Sequence, residues 1–131
     1  MIFSIITVCL NPGEKLNATL DSVMRQSCRD FEVILKDGGS RDGSIEKWKQ
    51  GHASRPGAGQ VRIFAEKDAG IYDAMNQAVA HAQGEFLLFL NCGDVFPDGE
   101  VLERTRKVIE EERAAGTDLT RLVLYGETGS E

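Results

Sequence analysis

Apolar runs and polar breaks alternate along the chain, and the alternation predicts its elements. Ile2 to Cys9 is apolar enough for a buried strand and is closed by Asn11-Pro12-Gly13, a strong turn signal. From Glu14 to Gln26, Leu16, Leu20, Val23 and Met24 recur at helical spacing and form the stripe of an amphipathic helix. Phe31 to Leu35 reads as a second strand, ending at Asp37-Gly38-Gly39-Ser40, with a short helix over Ser44 to Gln50. Gly51 to Gly59, rich in glycine, reads as an exposed loop. Val61 to Ala65 is a third strand, and Ile71 to Ala82 a helix with Ile71, Met75, Ala78, Val79 and Ala82 on one face. Phe86 to Leu90 is an unbroken apolar run into Asn91-Cys92-Gly93-Asp94, the pattern of a buried central strand. A helix from about Asp98 to Ala115 and a strand over Leu122 to Tyr125 complete the series, and the chain stops soon afterwards, which reads as part of a longer protein.

Strand and helix in strict alternation predict an α/β fold with a mainly parallel, doubly wound sheet. In such a sheet every strand delivers its carboxyl end to one edge, where ligands bind. Polar clusters follow each core strand: Asn11, then Asp37 to Gly43, then Glu66-Lys67-Asp68, then Asn91 to Asp94. Asp, Asn and Gly are ordinary turn formers, so any one cluster is explicable as turn chemistry. Their repetition on a common edge is what suggests a binding crevice.

Length and charge narrow the partners. At 131 residues the chain suits a single domain, and 41% hydrophobic with 27% charged residues is typical of a globular protein. A net charge of −6 argues against nucleic acid, which is bound by clustered Lys and Arg. No apolar run approaches the roughly 20 residues of a membrane span. Cys9, Cys28 and Cys92 lack metal-ligand spacing and read as reduced thiols of a cytoplasmic protein. Neither a lysine-bearing phosphate loop nor a GxGxxG fingerprint is present. His52 and His81 have no Ser or Cys arranged with them as a triad, and Trp48 and Tyr72 read as packing residues.

Five blocks in order carry a resemblance. They are S-I-I-T-V-x-L-N (Ser4 to Asn11), L-x-S-V-x-x-Q (Leu20 to Gln26), D-F-E-V-I-x-x-D-G-G-S-x-D-G-S (Asp30 to Ser44), E-K-D-x-G-I-Y-D-A-M-N-x-A (Glu66 to Ala78) and G-E-F-L-x-F-L-N-x-G-D (Gly84 to Asp94). Together they resemble the start of family 2 glycosyltransferases with the GT-A fold, of the bacterial cell-surface polysaccharide type, over about residues 3 to 98. The resemblance implies a Rossmann-like nucleotide-sugar-binding half, with the acceptor-binding C-terminal part absent from residues 1–131. It implies an inverting enzyme that takes a sugar from a UDP-sugar donor and passes it to a saccharide or lipid-linked acceptor in the cytoplasm or at the inner membrane face. The alternative is a noncatalytic nucleotide-binding or interaction module.

By the same resemblance, Asp37 accepts a hydrogen bond from the uracil ring, with Gly38 beside it, and Thr7, Leu10 and Asn11 flank the base, although family members often carry an aromatic where Leu10 stands. Lys67 and Asp68 face the nucleotide crevice, and Asn76 shares a helix face with Asp73. The segment Asn91 to Asp94 matches a DXD-type motif in which Asp94 holds a divalent metal, Mg²⁺ or Mn²⁺, on the diphosphate. Gly93 stands where a second acidic residue is commoner, and Asn91 is a further candidate contact. Electrostatics agrees with the metal: a carboxylate about 4 Å from a phosphate oxygen is repelled by roughly 4 kcal/mol at an effective dielectric near 20. A bridging cation reverses the sign. The general base of an inverting transfer has no candidate beyond Asp94, so this chain is expected to bind donor without transferring sugar on its own.

Overall fold

Phe3–Cys9 forms β1, and all of its seven residues are buried. A strand apolar on both faces is stable only when both faces are covered, as they are here. The computed structural model describes residues 1–52 and 58–119. Among them the order is β1, α1 (Lys15–Met24), β2 (Phe31–Asp37), α2 (Ser44–His52), a 3-10 turn (Ala58–Gln60), β3 (Val61–Ala65), α3 (Ile71–His81), β4 (Phe86–Phe89) and α4 (Val101–Ala114). The strand predicted at Leu122 to Tyr125 lies outside the described residues.

The strands form one parallel sheet in the order β3-β2-β1-β4. On one face Phe3, Ile5, Cys9, Val33, Leu35 and Leu88 meet α1, α2 and α4 through Leu16, Leu20, Trp48, Leu102 and Ile109. On the other, Ile6, Val8 and Ile34 meet Ala74 and Ala78 of α3, with Phe64, Met75 and Ala82 at the margin. The small alanines let α3 lie close over β1 and β2. That placement corrects one expectation: β4 is the edge strand among the described residues rather than a central one. Leu87 is half-buried and Phe89 is 39% exposed, because α3 does not reach over them. Tyr72 also departs from the packing role expected of it, at 80% exposed, whereas Trp48 packs at 5%.

Polar residues of the second block belong to the frame. Ser22 donates to Thr19 O at 2.7 Å and accepts from the Phe96 N–H at 3.1 Å. Gln26 donates to Asp98 O at 2.7 Å and accepts from the Leu102 N–H at 3.1 Å. Buried amides of this kind fix where α4 begins relative to α1. His52 stacks on Trp48 and His81 on Phe64, which accounts for both histidines structurally.

One strand face carries opposite buried charges at its two ends. Glu32 and Lys36 flank Ile34 on β2, at 2% and 0% exposure. Glu32, at the amino end, accepts from Ser4 Oγ at 2.6 Å, the Gln83 N–H at 2.6 Å and Arg62 Nε at 3.1 Å. Burial alone raises a carboxyl pKa, but these donors outweigh it and hold Glu32 below its ordinary value. Glu32 thereby pins the turn between α3 and β4. Lys36 does the corresponding work at the carboxyl end.

Candidate functional site

Register brings the polar clusters together. Cys9, Asp37 and Ala65 are aligned across β1, β2 and β3, so the segments that follow them emerge side by side. On the other flank of β1, Ile6 is aligned with Phe89, and Leu90 N–H donates to Ile6 O at 2.9 Å, which puts Asn91 to Asp94 on the same edge.

The first flank is densely bonded. Asp37 Oδ1 accepts from the Gly39 N–H at 3.2 Å, the Ser40 N–H at 2.9 Å and Ser40 Oγ at 2.6 Å. Its Oδ2 accepts nothing from the described residues. Ser40 Oγ in turn accepts from the Asn11 N–H at 2.8 Å, and Asn11 Oδ1 accepts from the Arg41 N–H at 2.7 Å. Asp42 Oδ2 accepts from the Gly13 N–H at 3.0 Å, so the loops after β1 and β2 are laced into one rim. Asn11 adopts φ +48, a conformation Asn tolerates better than most residues.

Lys36 is the residue that sequence reasoning missed. Its buried ammonium donates to Asp68 Oδ2 at 3.0 Å and to the carbonyls of Glu66 and Asp37. Asp68 Oδ1 accepts from the Gly70 N–H at 3.1 Å. The Lys36 hydrogen bond first, and that from Gly70, hold the Asp68 carboxyl below its ordinary value despite partial desolvation. Gly38 is needed here for close approach: a Cβ on it would lie 2.8 Å from Asp68 Oδ2. The only advance signal was a lysine inside a strand that is expected to be covered on both faces.

The second flank is built differently. Asn91 O accepts from the Asp94 N–H at 2.9 Å and closes the turn. Thr19, fully buried on α1, bridges it: the Gly93 N–H donates to Thr19 Oγ1 at 2.8 Å, and Thr19 Oγ1 donates to Asp94 O at 2.8 Å. The Asp94 carboxylate is half-exposed and makes no hydrogen bond or ion pair with the described residues. Cys92 and Cys9 sit beneath, their thiols pushed up by burial to about 11 and about 12. They are protonated at neutral pH and poor nucleophiles.

Not every predicted residue reaches the crevice surface. Thr7 is 0% exposed and its hydroxyl has no hydrogen-bond partner, because its parity with Phe3, Ile5 and Cys9 turns it toward the α1 layer. Leu10 is 62% exposed at the rim. The side chains of Lys67, Asn76 and Asn91 are exposed and unpartnered among the described residues. Asp73 instead accepts from the Ala69 N–H at 2.8 Å and caps the turn into α3.

Among the described residues no three His, Cys, Asp or Glu side chains converge to hold a cation. A single free carboxylate at Asp94 still fits Mg²⁺ or Mn²⁺, which bind through one or two carboxylates with phosphate oxygens and water completing the shell. A separate cleft of about 570 Å³, lined by Ser22, Arg25, Phe96, Pro97, Asp98 and Gly99, lies at the far end of α1 from the strand tips. Its Ser22 and Asp98 are already hydrogen-bonded. No helix among the described residues is long and apolar enough to cross a membrane.

Comparison with known proteins agrees with this architecture. The family model for glycosyl transferase family 2 matches residues 4–131. A PGL/p-HBAD biosynthesis glycosyltransferase of Mycobacterium bovis is 40% identical over 111 residues, covering 84% of this chain and 42% of that protein. A cholesterol galactosyltransferase of Borreliella burgdorferi is 31% identical over 100 residues, covering 76% of this chain and 27% of that protein. Among solved structures, S. aureus TarS 1-349 in complex with UDP-GlcNAc superposes with a TM-score of 0.76 at 24% identity, covering 86% of this chain and 32% of that one. Mannosyltransferase PcManGT from Pyrobaculum calidifontis, in complex with GDP-Man and Mn²⁺, gives 0.68 at 24% identity, covering 80% and 31%. The chain therefore spans about two fifths or less of the length of these relatives. It belongs to glycosyltransferase family 2 and has the α/β architecture of the GT-A glycosyltransferases.

Proposed function

We propose that this chain is a single nucleotide-sugar-binding domain. In the whole protein it would serve an inverting, metal-assisted transfer from a UDP-sugar to a saccharide or lipid-linked acceptor in polysaccharide biosynthesis, at the cytoplasmic face of the membrane. The observation that carries the reading is the pair of acidic side chains on one sheet edge, one on each flank of β1. Asp37 offers a single unspent oxygen, Oδ2, in a rigid rim, as an acceptor for a base N–H requires. Asp94 offers a whole unpaired carboxylate, as a cation-bridged diphosphate requires. The UDP-GlcNAc bound by TarS supports a UDP-sugar, and the Mn²⁺ in the mannosyltransferase supports the metal. The relative named as a cholesterol galactosyltransferase supports a lipid-type acceptor.

The roles divide by charge. Asp37, held by Ser40 and the loop amides, orients the base. Lys36 and Asp68 hold the neighbouring loop in place beneath it. Asp94 would hold the cation, which, when bound, supplies the positive charge that stabilises the departing nucleoside diphosphate. Lys67, Asn76, Gly38, Asn91 and Gly93 would border the same crevice, and Leu10 and Asn11 would form its lip.

Calorimetric titration with UDP and UDP-sugars, with and without Mn²⁺, tests the reading. UDP should bind, Mn²⁺ should strengthen it, Asp94→Ala should remove only the Mn²⁺-dependent gain, and Asp37→Ala should weaken binding in either condition. Normal Mn²⁺-dependent UDP binding by Asp94→Ala would overturn the metal assignment. Binding of no nucleotide at all would overturn the function and leave an interaction module.

A further inference from the structure

The turn that carries Asp94 is held by two residues of α1, and only one of them holds it by hydrogen bonds. Thr19 bridges Gly93 and Asp94 as described. One helical turn earlier, on the same face of α1, Lys15 lays its hydrocarbon stem across Gly93. A Cβ on Gly93 would lie 3.4 Å from Lys15 Cδ, 3.9 Å from Cγ and 4.0 Å from Cβ. Gly93 has φ +102, so a side chain there meets both backbone strain and the lysine stem.

The stem is used for packing, but the head is not. Lys15 is exposed, and its ammonium makes no hydrogen bond or ion pair with the described residues. A flexible, unpaired ammonium tethered over a turn whose one carboxylate is also unpaired is an arrangement suited to an anion with a cation, rather than to a cation alone. Asp94 and Lys15 together contribute no net charge, whereas two carboxylates at positions 93 and 94 would contribute two negative charges against the same phosphates.

We infer that Lys15 is a donor-diphosphate contact, and that its pairing with Gly93 lets the site hold a nucleoside diphosphate with reduced need of a divalent cation. The inference rests on the diphosphate lying at the Asn91 to Asp94 turn, as proposed above. Lysine serves phosphate as a point charge on a mobile stem, with no bidentate geometry required.

The test is the ratio of UDP to uridine affinity, measured by calorimetry in EDTA and again in Mn²⁺. In EDTA the unsubstituted chain should prefer UDP to uridine, and the preference should weaken as NaCl is raised. Lys15→Met keeps the stem over Gly93 and removes the charge. It should lower the metal-free preference about tenfold, the scale of one charged hydrogen bond, while uridine binding stays as it was. Lys15→Arg should restore most of the preference. Gly93→Asp should make UDP binding more dependent on Mn²⁺. A Lys15→Met chain with an unchanged UDP-to-uridine ratio in EDTA would overturn the inference and leave the proposed function standing. So would an unsubstituted chain that prefers UDP only when Mn²⁺ is present. Failure to bind UDP and uridine under every condition would overturn both together.

Discussion

On one flank of β1 the acidic groups are already spoken for, and on the other they are not. Asp37 Oδ1 receives three hydrogen bonds and Asp68 is joined to a buried lysine, so that flank is finished before any ligand arrives. Across the strand, the Gly93-Asp94 backbone is fixed by Thr19 while the Asp94 carboxylate and the Lys15 ammonium stay unpaired. The difference matches the ligand each flank is proposed to take. A neutral base is recognised by a pre-aimed acceptor, and rigidity there removes an ordering cost from binding. A diphosphate brings its own charge and its own cation. Pairing Asp94 within the protein would have to be undone at each binding event. In this crevice, rigid backbone with free charge on one side answers rigid charge on the other.

The sharpest way to break the contrast is to remove Lys36. Lys36→Met leaves Asp68 Oδ2 and two carbonyl oxygens without their buried donor in a partly buried place, and should cost about 3 kcal/mol of stability, read from urea unfolding. Uridine and UDP affinity should fall together, because the damage is confined to the base flank. Thr19→Val is the mirror test. It removes the bridge between the Gly93 N–H and Asp94 O at nearly constant volume, and should cost about 2 kcal/mol. Uridine affinity should hold, and the gain from Mn²⁺ should shrink as the turn loosens. Ser40→Ala is milder: it removes one donor to Asp37 and one acceptor for Asn11, about 1 kcal/mol, and uridine binding should weaken with the UDP-to-uridine ratio unchanged.

The elements were legible because their signals are local. Apolar runs bounded by Asn-Pro-Gly or Asp-Gly-Gly marked β1 and β2, and Leu16, Leu20 and Val23 marked α1; these elements stand within about two residues of the expected bounds. The positions of Asp37, Asp68 and Asp94 at the strand ends were legible for the same reason, since each comes within a few residues of the end of an apolar run. What was hidden depends on neighbours distant in sequence. Lys36 meets Asp68 only because β2 and β3 align Asp37 with Ala65, and nothing local to residue 36 announces it. Thr19 looked like one more helix position until the turn beyond β4 settled against it. Thr7 shows the opposite error: it belongs to the right strand, but its parity carries it under α1 and out of the crevice. β4 likewise has a composition suited to a sheet centre, while among the described residues it lies at an edge.

The smallest expected effect is one of pH, and it isolates the finished flank. Asp68 has a folded pKa below its ordinary value of 3.8, chiefly through the Lys36 hydrogen bond. A carboxyl depressed in the folded state adds stability above its unfolded pKa and loses it as pH falls through the folded one. The Lys36–Asp68 contribution should therefore be constant from neutral pH down to about 5 and fade only below about 4. Urea midpoints of the unsubstituted chain and Lys36→Met, compared from about pH 6 to about pH 3, should draw together at the acid end, since protonated Asp68 no longer rewards the lysine. Thr19→Val should show no such convergence, because the bridge it breaks holds neutral backbone groups that do not titrate. A constant gap between the unsubstituted chain and Lys36→Met down to the lowest pH would mean that the lysine stabilises through Glu66 and Asp37 carbonyls alone. The base flank would then be held as the phosphate flank is, by backbone rather than by charge.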